Sequence, residues 1–325
     1  MLSGRPMALI LRILGGLVRI AALGLALACA AGALGGQAAR VRPALDMLNH
    51  FEPAWLVGAM AAGLLGWRDR VTVAVAAVAV IACALQIAPE LVADVQGARP
   101  LAGAERLKLV QFNAWVHNRD PQGSARWILA EDPDIVVIEE AYDSSVPLVR
   151  ALRGRYPYLS NCGGGCSVGI LSKTAPIASG RFGVGDFAWW ASFAGRGGPY
   201  IVVGEHATHP WPPQQQATDF EVLADGVRGL PQARMVLAGD FNSTPWSFAL
   251  KRLDRSLPLV RRDRAIATWP SAPTEAQGRK VPLGLPVLPI DHVYAGPGWR
   301  TLDVRRGPSL GSDHRPIVVT LQAAP

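Results

Sequence analysis

Three apolar runs crowd into the first 98 residues of this 325-residue chain: Ile20 to Gly36, Ala54 to Trp67 and Val71 to Ala88. A helix that crosses a bilayer needs about 20 apolar residues, and the first and third runs approach that length. The second reaches it only when Met47 to Pro53, with His50 and Glu52, is counted as an interfacial turn. Trp55 and Trp67 bracket that run as interfacial anchors do. The pattern predicts three spans, at residues 17–36, 48–67 and 71–91. A cleaved signal peptide is the competing reading of the first run, because Arg5, Arg12 and Arg19 precede it, but two further runs follow.

The arginines and lysines beside the spans divide five against five. Arg5, Arg12, Arg19, Arg68 and Arg70 lie on one side, and Arg40, Arg42, Arg99, Arg106 and Lys108 on the other. The flanks of the first span usually dominate, which favours an N-terminus inside. Three spans then carry everything after residue 98 out of the cytoplasm. The expected location is a bacterial inner membrane, multi-pass, with a periplasmic domain. Cys162 and Cys166 bracket Gly163-Gly164-Gly165, a loop flexible enough to let two sulfurs meet in an oxidising compartment. No histidine nearby would complete a zinc tetrahedron there.

Residues 99–104 form a Gly- and Pro-bearing linker, and 105–325 a second domain. Leu107 to Asn113 alternates as a strand, Gln122 to Glu131 reads as a helix closed by Asp132-Pro133, and Asp134 to Glu140 is an apolar strand. Ser145 to Arg153 looks helical. Ser167 to Ser172 and Tyr200 to His206 are strands, and Gln214 to Leu230 is the longest helix of this region. Met235 to Ala238 is a strand, Trp246 to Leu253 a helix, and Ile290 to Ala295 and Ile317 to Leu321 close the chain as strands. Strands mixed irregularly with helices argue for an α/β or α+β sandwich.

Several of these strands end in a group suited to metal or phosphate: Asn113, Glu140, His209 just beyond its strand, Asp240 with Asn242, Asp291, and Asp313 with His314. One such ending is common; six in one domain are hard to explain by packing. Hydrolysing a phosphoester anion requires water to reach a negatively charged centre. A hard divalent cation on carboxylate and amide oxygens cancels that charge. An aspartate can take the nucleophile's proton, and histidine donors stabilise charge that grows in the transition state. His206 is the rival to His209, which is preferred for the Pro-rich turn that follows it. Asp134 reads as a strand cap after Pro133, and His117 as a loop residue. Trp246 and Trp189-Trp190 read equally as groove lining or packing.

From residue 101 onward, 24 Lys and Arg face 20 Asp and Glu, a surplus of four. That suits a phosphate-bearing partner but falls far short of a nucleic-acid-binding stripe. The densest patch is Lys251-Arg252, Arg255, Arg261-Arg262 and Arg264, which a solvated face explains at least as well.

Phe112-Asn113, Pro133 to Glu140, Thr208-His209-Pro210, Gly239-Asp240-Phe241-Asn242, Ile290-Asp291-His292 and Gly311 to Pro316 together resemble the ordered motifs of the endonuclease/exonuclease/phosphatase superfamily. The resemblance spans residues 105–322 and implies a four-layer α/β (α+β) sandwich, two packed mixed β-sheets flanked by helices. It implies Glu140 as principal Mg²⁺ ligand, Mn²⁺ being an alternative ion, with Glu139 standing where the family usually has glutamine. Asn113 resembles the amide that supports the metal or contacts phosphate, and Asp313 a member of the metal or histidine-orienting shell. Asp240 would activate water, and Asn242 would hold a phosphate oxygen. His314, paired with Asp291, would stabilise the pentacovalent phosphorus, and His209 resembles the second histidine. The expected function is a membrane-anchored phosphoesterase acting on nucleic acid, a lipid headgroup or a small molecule, with no obligate protein partner. The alternative is an inactive membrane scaffold on the same fold.

Overall fold

The computed structural model describes residues 4–92, 97–162, 165–276, 279–281 and 284–325. The chain falls into two compact units, Met1–Val92 with Trp246–Phe248, and Ala93–Pro245 with Ala249–Pro325.

The first unit is helical: α1 (Gly4–Gln37), α2 (Glu52–Leu65) and α3 (Arg70–Val92). Two stretches among the described residues are long and apolar enough to cross a membrane, Leu9–Arg40 and Arg70–Val92. Helix α2 has 14 residues, about 21 Å of rise against about 30 Å of hydrocarbon. The preceding Pro43–Phe51 winds as a 3₁₀ helix, so the middle segment continues in a tighter form. Small residues let the helices approach: Ala26, Ala62 and Ala76 form one packed layer and Cys29, Ala30, Ala59 and Ala79 another. Leu9, Ile10, Leu11, Ile13, Leu14 and Leu17 are all exposed on α1.

The second unit runs β1 (Arg106–Asn113), α4 (Pro121–Glu131), β2 (Ile135–Ala141), α5 (Val146–Leu152), β3 (Tyr158–Ser160), β4 (Cys166–Ser172), β5 (Ala178–Arg181) and β6 (Ala188–Phe193). It continues through β7 (Tyr200–His206), α6 (Pro213–Arg228), β8 (Met235–Asp240), α7 (Phe248–Ser256), β9 (Val260–Arg261), β10 (Thr274–Ala276) and β11 (Arg279–Val281). It closes with β12 (Asp291–Ala295), β13 (Trp299–Arg306) and β14 (Ile317–Ala323). Helix α4 shows how locally the chain dictates its elements. Asp120 caps it by accepting from Gly123 N–H at 2.7 Å, Pro121 opens the first turn, and Asp132 turns left-handed at its end before Pro133.

Among the described residues two six-stranded sheets result, ordered β13-β14-β1-β2-β4-β3 and β5-β6-β7-β8-β12-β9, with β10-β11 a separate antiparallel pair. Each sheet holds one parallel pair at its centre, β1 with β2 and β7 with β8. A parallel pair needs a crossover, and α4 and α6 supply them. Side chains alternate across each strand, so Leu107, Leu109, Ile135, Val137, Val202, Val236, Ala238 and Val293 meet between the sheets. Val110, Phe112, Val136 and Ile138 face outward with Ala125 and Ile128 of α4. Ile201, Val203, Met235 and Leu237 face outward with Phe220, Leu223 and Val227 of α6. The second unit is thus a helix–sheet–sheet–helix sandwich. At Gly204 a Cβ would stand 2.6 Å from Val168 and 3.1 Å from Val137 of the facing sheet, so the facing side chains fill the space where β7 lacks one.

Candidate active site

The same alternation that builds the inter-sheet core ends in polar residues. Following the inward positions, Leu107 and Leu109 lead to Gln111 and Asn113 on β1, and Ile135 and Val137 to Glu139 on β2. Val202 and Gly204 lead to His206 on β7, and Val236 and Ala238 to Asp240 on β8. Strand β12 runs antiparallel to β8 and begins with Asp291 directly opposite Asp240. His206 lies opposite Asp240 on the other side, through the parallel register.

Glu140 breaks the alternation. Its φ of +51° is left-handed, and Ala141 after it faces the outer layer as Val136 and Ile138 do. One backbone irregularity therefore lets two successive carboxylates, Glu139 and Glu140, serve the inner layer. Asn242 is also left-handed, at φ +48°. Strained non-glycine residues of this kind persist only where their surroundings over-determine them.

Asn113 links the acids. Its Nδ2 donates to Glu140 Oε1 at 3.0 Å and to Asp240 Oδ2 at 2.9 Å, while its Oδ1 accepts from Trp115 N–H at 2.9 Å. Both amide hydrogens are engaged in spacing the two carboxylates. Asp240 Oδ1 accepts from Asn242 N–H at 2.9 Å. His314 Nδ1 pairs with Asp291 Oδ2 at 2.8 Å, and its Nε2 lies 3.6 Å from Asp240 Oδ2. Asp291 also accepts from Thr268 Oγ1 at 2.5 Å and Gln111 Nε2 at 2.7 Å. His206 Nε2 lies 3.6 Å from Glu140 Oε1, its Nδ1 facing Ser167 Oγ at 3.1 Å. His209 is exposed, with Nδ1 at 3.1 Å from Asn242 Oδ1. The two histidines thus take different places, His206 among the acids and His209 at the rim beside Asn242.

Asp313 points elsewhere. Its Oδ2 accepts from Trp269 Nε1 at 3.0 Å and Thr274 Oγ1 at 2.8 Å, while its Oδ1 is buried without a hydrogen-bond partner. Gln111, Ser167, Thr268 and Trp269 carry no motif that marks them in the sequence; only strand parity could have suggested Gln111. Asp134 accepts from Lys108 N–H at 2.9 Å and serves as a strand cap. Trp246 is buried. Of the basic patch, Arg261 is buried against Asp254 and Arg262 donates to the carbonyls of Ala295 and Gly296, so both are committed to the fold. Cys162 and Cys166 are joined as a disulfide, their Cα atoms 4.9 Å apart.

The electrostatics follow from burial. Desolvation, only partly countered by His314, pushes Asp240 up to about 6. Burial, then the Asp291 and Asp240 charges, push Glu139 well above the carboxylate range, so it is held protonated. Burial would also raise Glu140, but His206, Asn113 and His314 outweigh it and leave Glu140 below its ordinary value. Burial would lower His314, yet Asp291 and Asp240 hold it well above 6.5. The imidazole is therefore a cation and a donor at neutral pH.

Among the described residues, two sets of side chains bring ligand atoms within 4.8 Å of one another, Glu140-His206-Asp240 and Asp240-Asp291-His314. A divalent cation fits the first set on its chemistry, two carboxylates and an imidazole converging while Asn113 Nδ2 spaces the carboxylates. The fold and this acidic and histidine group fit a metal-dependent phosphoesterase.

A family model described as Endonuclease/Exonuclease/phosphatase family matches residues 110–314. Among curated proteins none matches the chain's sequence. Solved structures share the fold at low identity. An endonuclease/exonuclease/phosphatase family protein from Bacteroides thetaiotaomicron is 15% identical, with a TM-score of 0.53 over 69% of this chain and 100% of its own. TDP2 from D. rerio, complexed with a single-strand DNA product, is 13% identical, with a TM-score of 0.54 over 67% of this chain and 99% of its own. A functionally unknown conserved protein from Enterococcus faecalis is 15% identical, with a TM-score of 0.52 over 67% and 100%.

Proposed function

The chain belongs to the endonuclease/exonuclease/phosphatase family, and from that premise we propose that it hydrolyses a phosphate ester with a water activated by Asp240. The observation that carries this reading is the buried position of Asp240, between the Asn113-linked Glu140 on one side and the Asp291–His314 pair on the other. With its carboxyl pushed up to about 6, Asp240 is ionised at neutral pH and still basic enough to accept a proton from water. Asn242 and His209 form the cradle for a phosphate oxygen. His314, held cationic by Asp291, donates to the oxygen on which charge accumulates in the transition state. Asn113 sets the spacing of Glu140 and Asp240. Glu140 and Asp240, which converge with His206, would hold Mg²⁺ or Mn²⁺, which when bound offsets the phosphate charge and polarises the P–O bond.

The helical unit supports attachment to a membrane, in our reading a bacterial inner membrane with the second unit on its outer side. The substrate is a phosphodiester or phosphomonoester of nucleic acid, lipid headgroup or small molecule. The test uses the full chain in detergent micelles, with Mg²⁺ and bis-nitrophenyl phosphate, short DNA and phospholipid as probes. Hydrolysis is expected with at least one probe, and Asp240→Ala should lower it by about 10²–10⁴-fold. No metal-dependent hydrolysis of any probe would leave an inactive scaffold as the better description.

A further inference from the structure

Helix α6 buries Gln216, Phe220, Leu223, Ala224 and Val227, a stripe at helical spacing whose other members are apolar. A polar side chain in such a stripe is costly unless its hydrogen-bonding groups are met, and Gln216 has its groups met by active-site backbone. Its Nε2 lies 2.9 Å from Thr208 O, 3.3 Å from Phe241 O and 3.4 Å from Asn242 O, and its Oε1 accepts from Ser243 Oγ at 3.1 Å. Thr208 precedes His209; Phe241 to Ser243 follow Asp240. One side chain therefore joins the two loops that carry the phosphate cradle. Asp219, one turn further along α6, accepts from both Thr208 N–H and Thr208 Oγ1.

The joined loops also touch each other. His209 Nδ1 faces Asn242 Oδ1 at 3.1 Å, and Asn242 Nδ2 donates to Ala207 O at 2.9 Å. His292 Nε2 lies 2.8 Å from Ser243 O, a pure acceptor, so that nitrogen donates. The left-handed backbone of Asn242 is thus held directly by Gln216 and, through Ser243, by His292. We propose that Gln216 is a positioning residue for catalysis, setting the separation of Asn242 and His209 and so the fit of the cradle to a phosphate oxygen. This deepens the phosphoesterase reading and rests on it.

The test is a double-mutant cycle in the full chain in detergent, with Mg²⁺ and whichever ester the wild type cleaves. Gln216→Leu keeps the bulk and loses the hydrogen bonds. Alone it should lower kcat/KM by about a hundredfold, the scale of a misplacement of about 1 Å. In a His209→Ala background the same change should cost far less, because the geometry it protects is already lost. A merely structural glutamine would give additive effects and equal losses in both backgrounds, and that result overturns the proposal. Should Gln216→Leu fail to fold, Ser243→Ala removes only the hydroxyl that anchors Gln216 Oε1, and the same non-additivity with His209→Ala is expected on a smaller scale. A wild type that cleaves no ester would count against the phosphoesterase reading alone, because the cycle is then read in binding of inorganic phosphate with Mg²⁺ by calorimetry. Additive effects there still overturn the role of Gln216, and a wild type that binds no phosphate overturns both.

Discussion

Asp240 carries the electrostatic tension of the site, because it is buried with an acid on one side and a histidine cation on the other. The direction of its shift makes a kinetic prediction. Activity of the wild type should rise as pH increases through about 6, where the base ionises, and the limb should move to lower pH as Mg²⁺ is raised, since a cation favours the carboxylate. His314 supplies the other limb. Its ionisation is held well above 6.5, so activity should fall only in the alkaline range, where the imidazolium is lost. A kcat/KM profile at several Mg²⁺ concentrations checks both limbs. An acid limb that stays fixed would separate Asp240 from the metal. Both ionisations are raised, so both residues make stability fall as pH rises. His314, raised, contributes stability that is fully present below 6.5 and lost as pH rises through its folded value. Asp240, a raised carboxyl, costs stability as pH rises from 3.8 to about 6.

Elements place these residues, and the parallel pair β7–β8 does most of the placing. Glu205 lies opposite Gly239 in that pair. A Cβ on Gly239 would stand 1.9 Å from Glu205 O, 2.7 Å from its carbonyl carbon and 2.9 Å from its nitrogen. These are backbone atoms, which cannot yield without shifting β7 against β8 and with it His206 against Asp240. Gly239→Ala should therefore cost about 3 kcal/mol and lower the melting temperature by about 10 °C in a domain of this size. Gly154→Ala, with nothing within 4 Å, is the matched control; similar melting temperatures for the two variants would refute the steric account.

The same elements explain what could be read without coordinates. Central strands were legible because buried β-branched runs have no other plausible form, and their polar ends pointed to Asn113, Glu140, Asp240, Asp291 and His314. Edge strands were not. β13 alternates Arg300, Asp303, Arg305 and Arg306 with a few apolar residues, the composition of a solvated edge, and β5 and β9 are too short to show a period. Gln216 is hidden in a run of three glutamines that reads as helix surface. His206 looked secondary to His209 because parallel register, which sets it opposite Asp240, is a long-range property that local sequence does not carry.

At the scale of the whole chain, the arginine and lysine flanks balance, so loop charge alone does not orient the molecule. One further feature points the same way as the first span's flanks: Cys162 and Cys166, bonded here, suit an oxidising compartment, which three crossings from an inside N-terminus would reach. The second crossing depends on α2, whose 14 residues fall short of a full span unless the 3₁₀ segment before it lies at membrane depth. With only α1 and α3 crossing, the parity reverses, the second unit returns to the cytoplasm, and the disulfide would meet reducing conditions. Topology and thiol state are therefore coupled predictions. A reporter fused after Pro325 should be active only as a periplasmic fusion. Alkylation of intact cells followed by reduction should find Cys162 and Cys166 protected until reductant is added. A reporter active only in the cytoplasm, with both thiols free to alkylate, would place the second unit inside and reduce the membrane region to two spans.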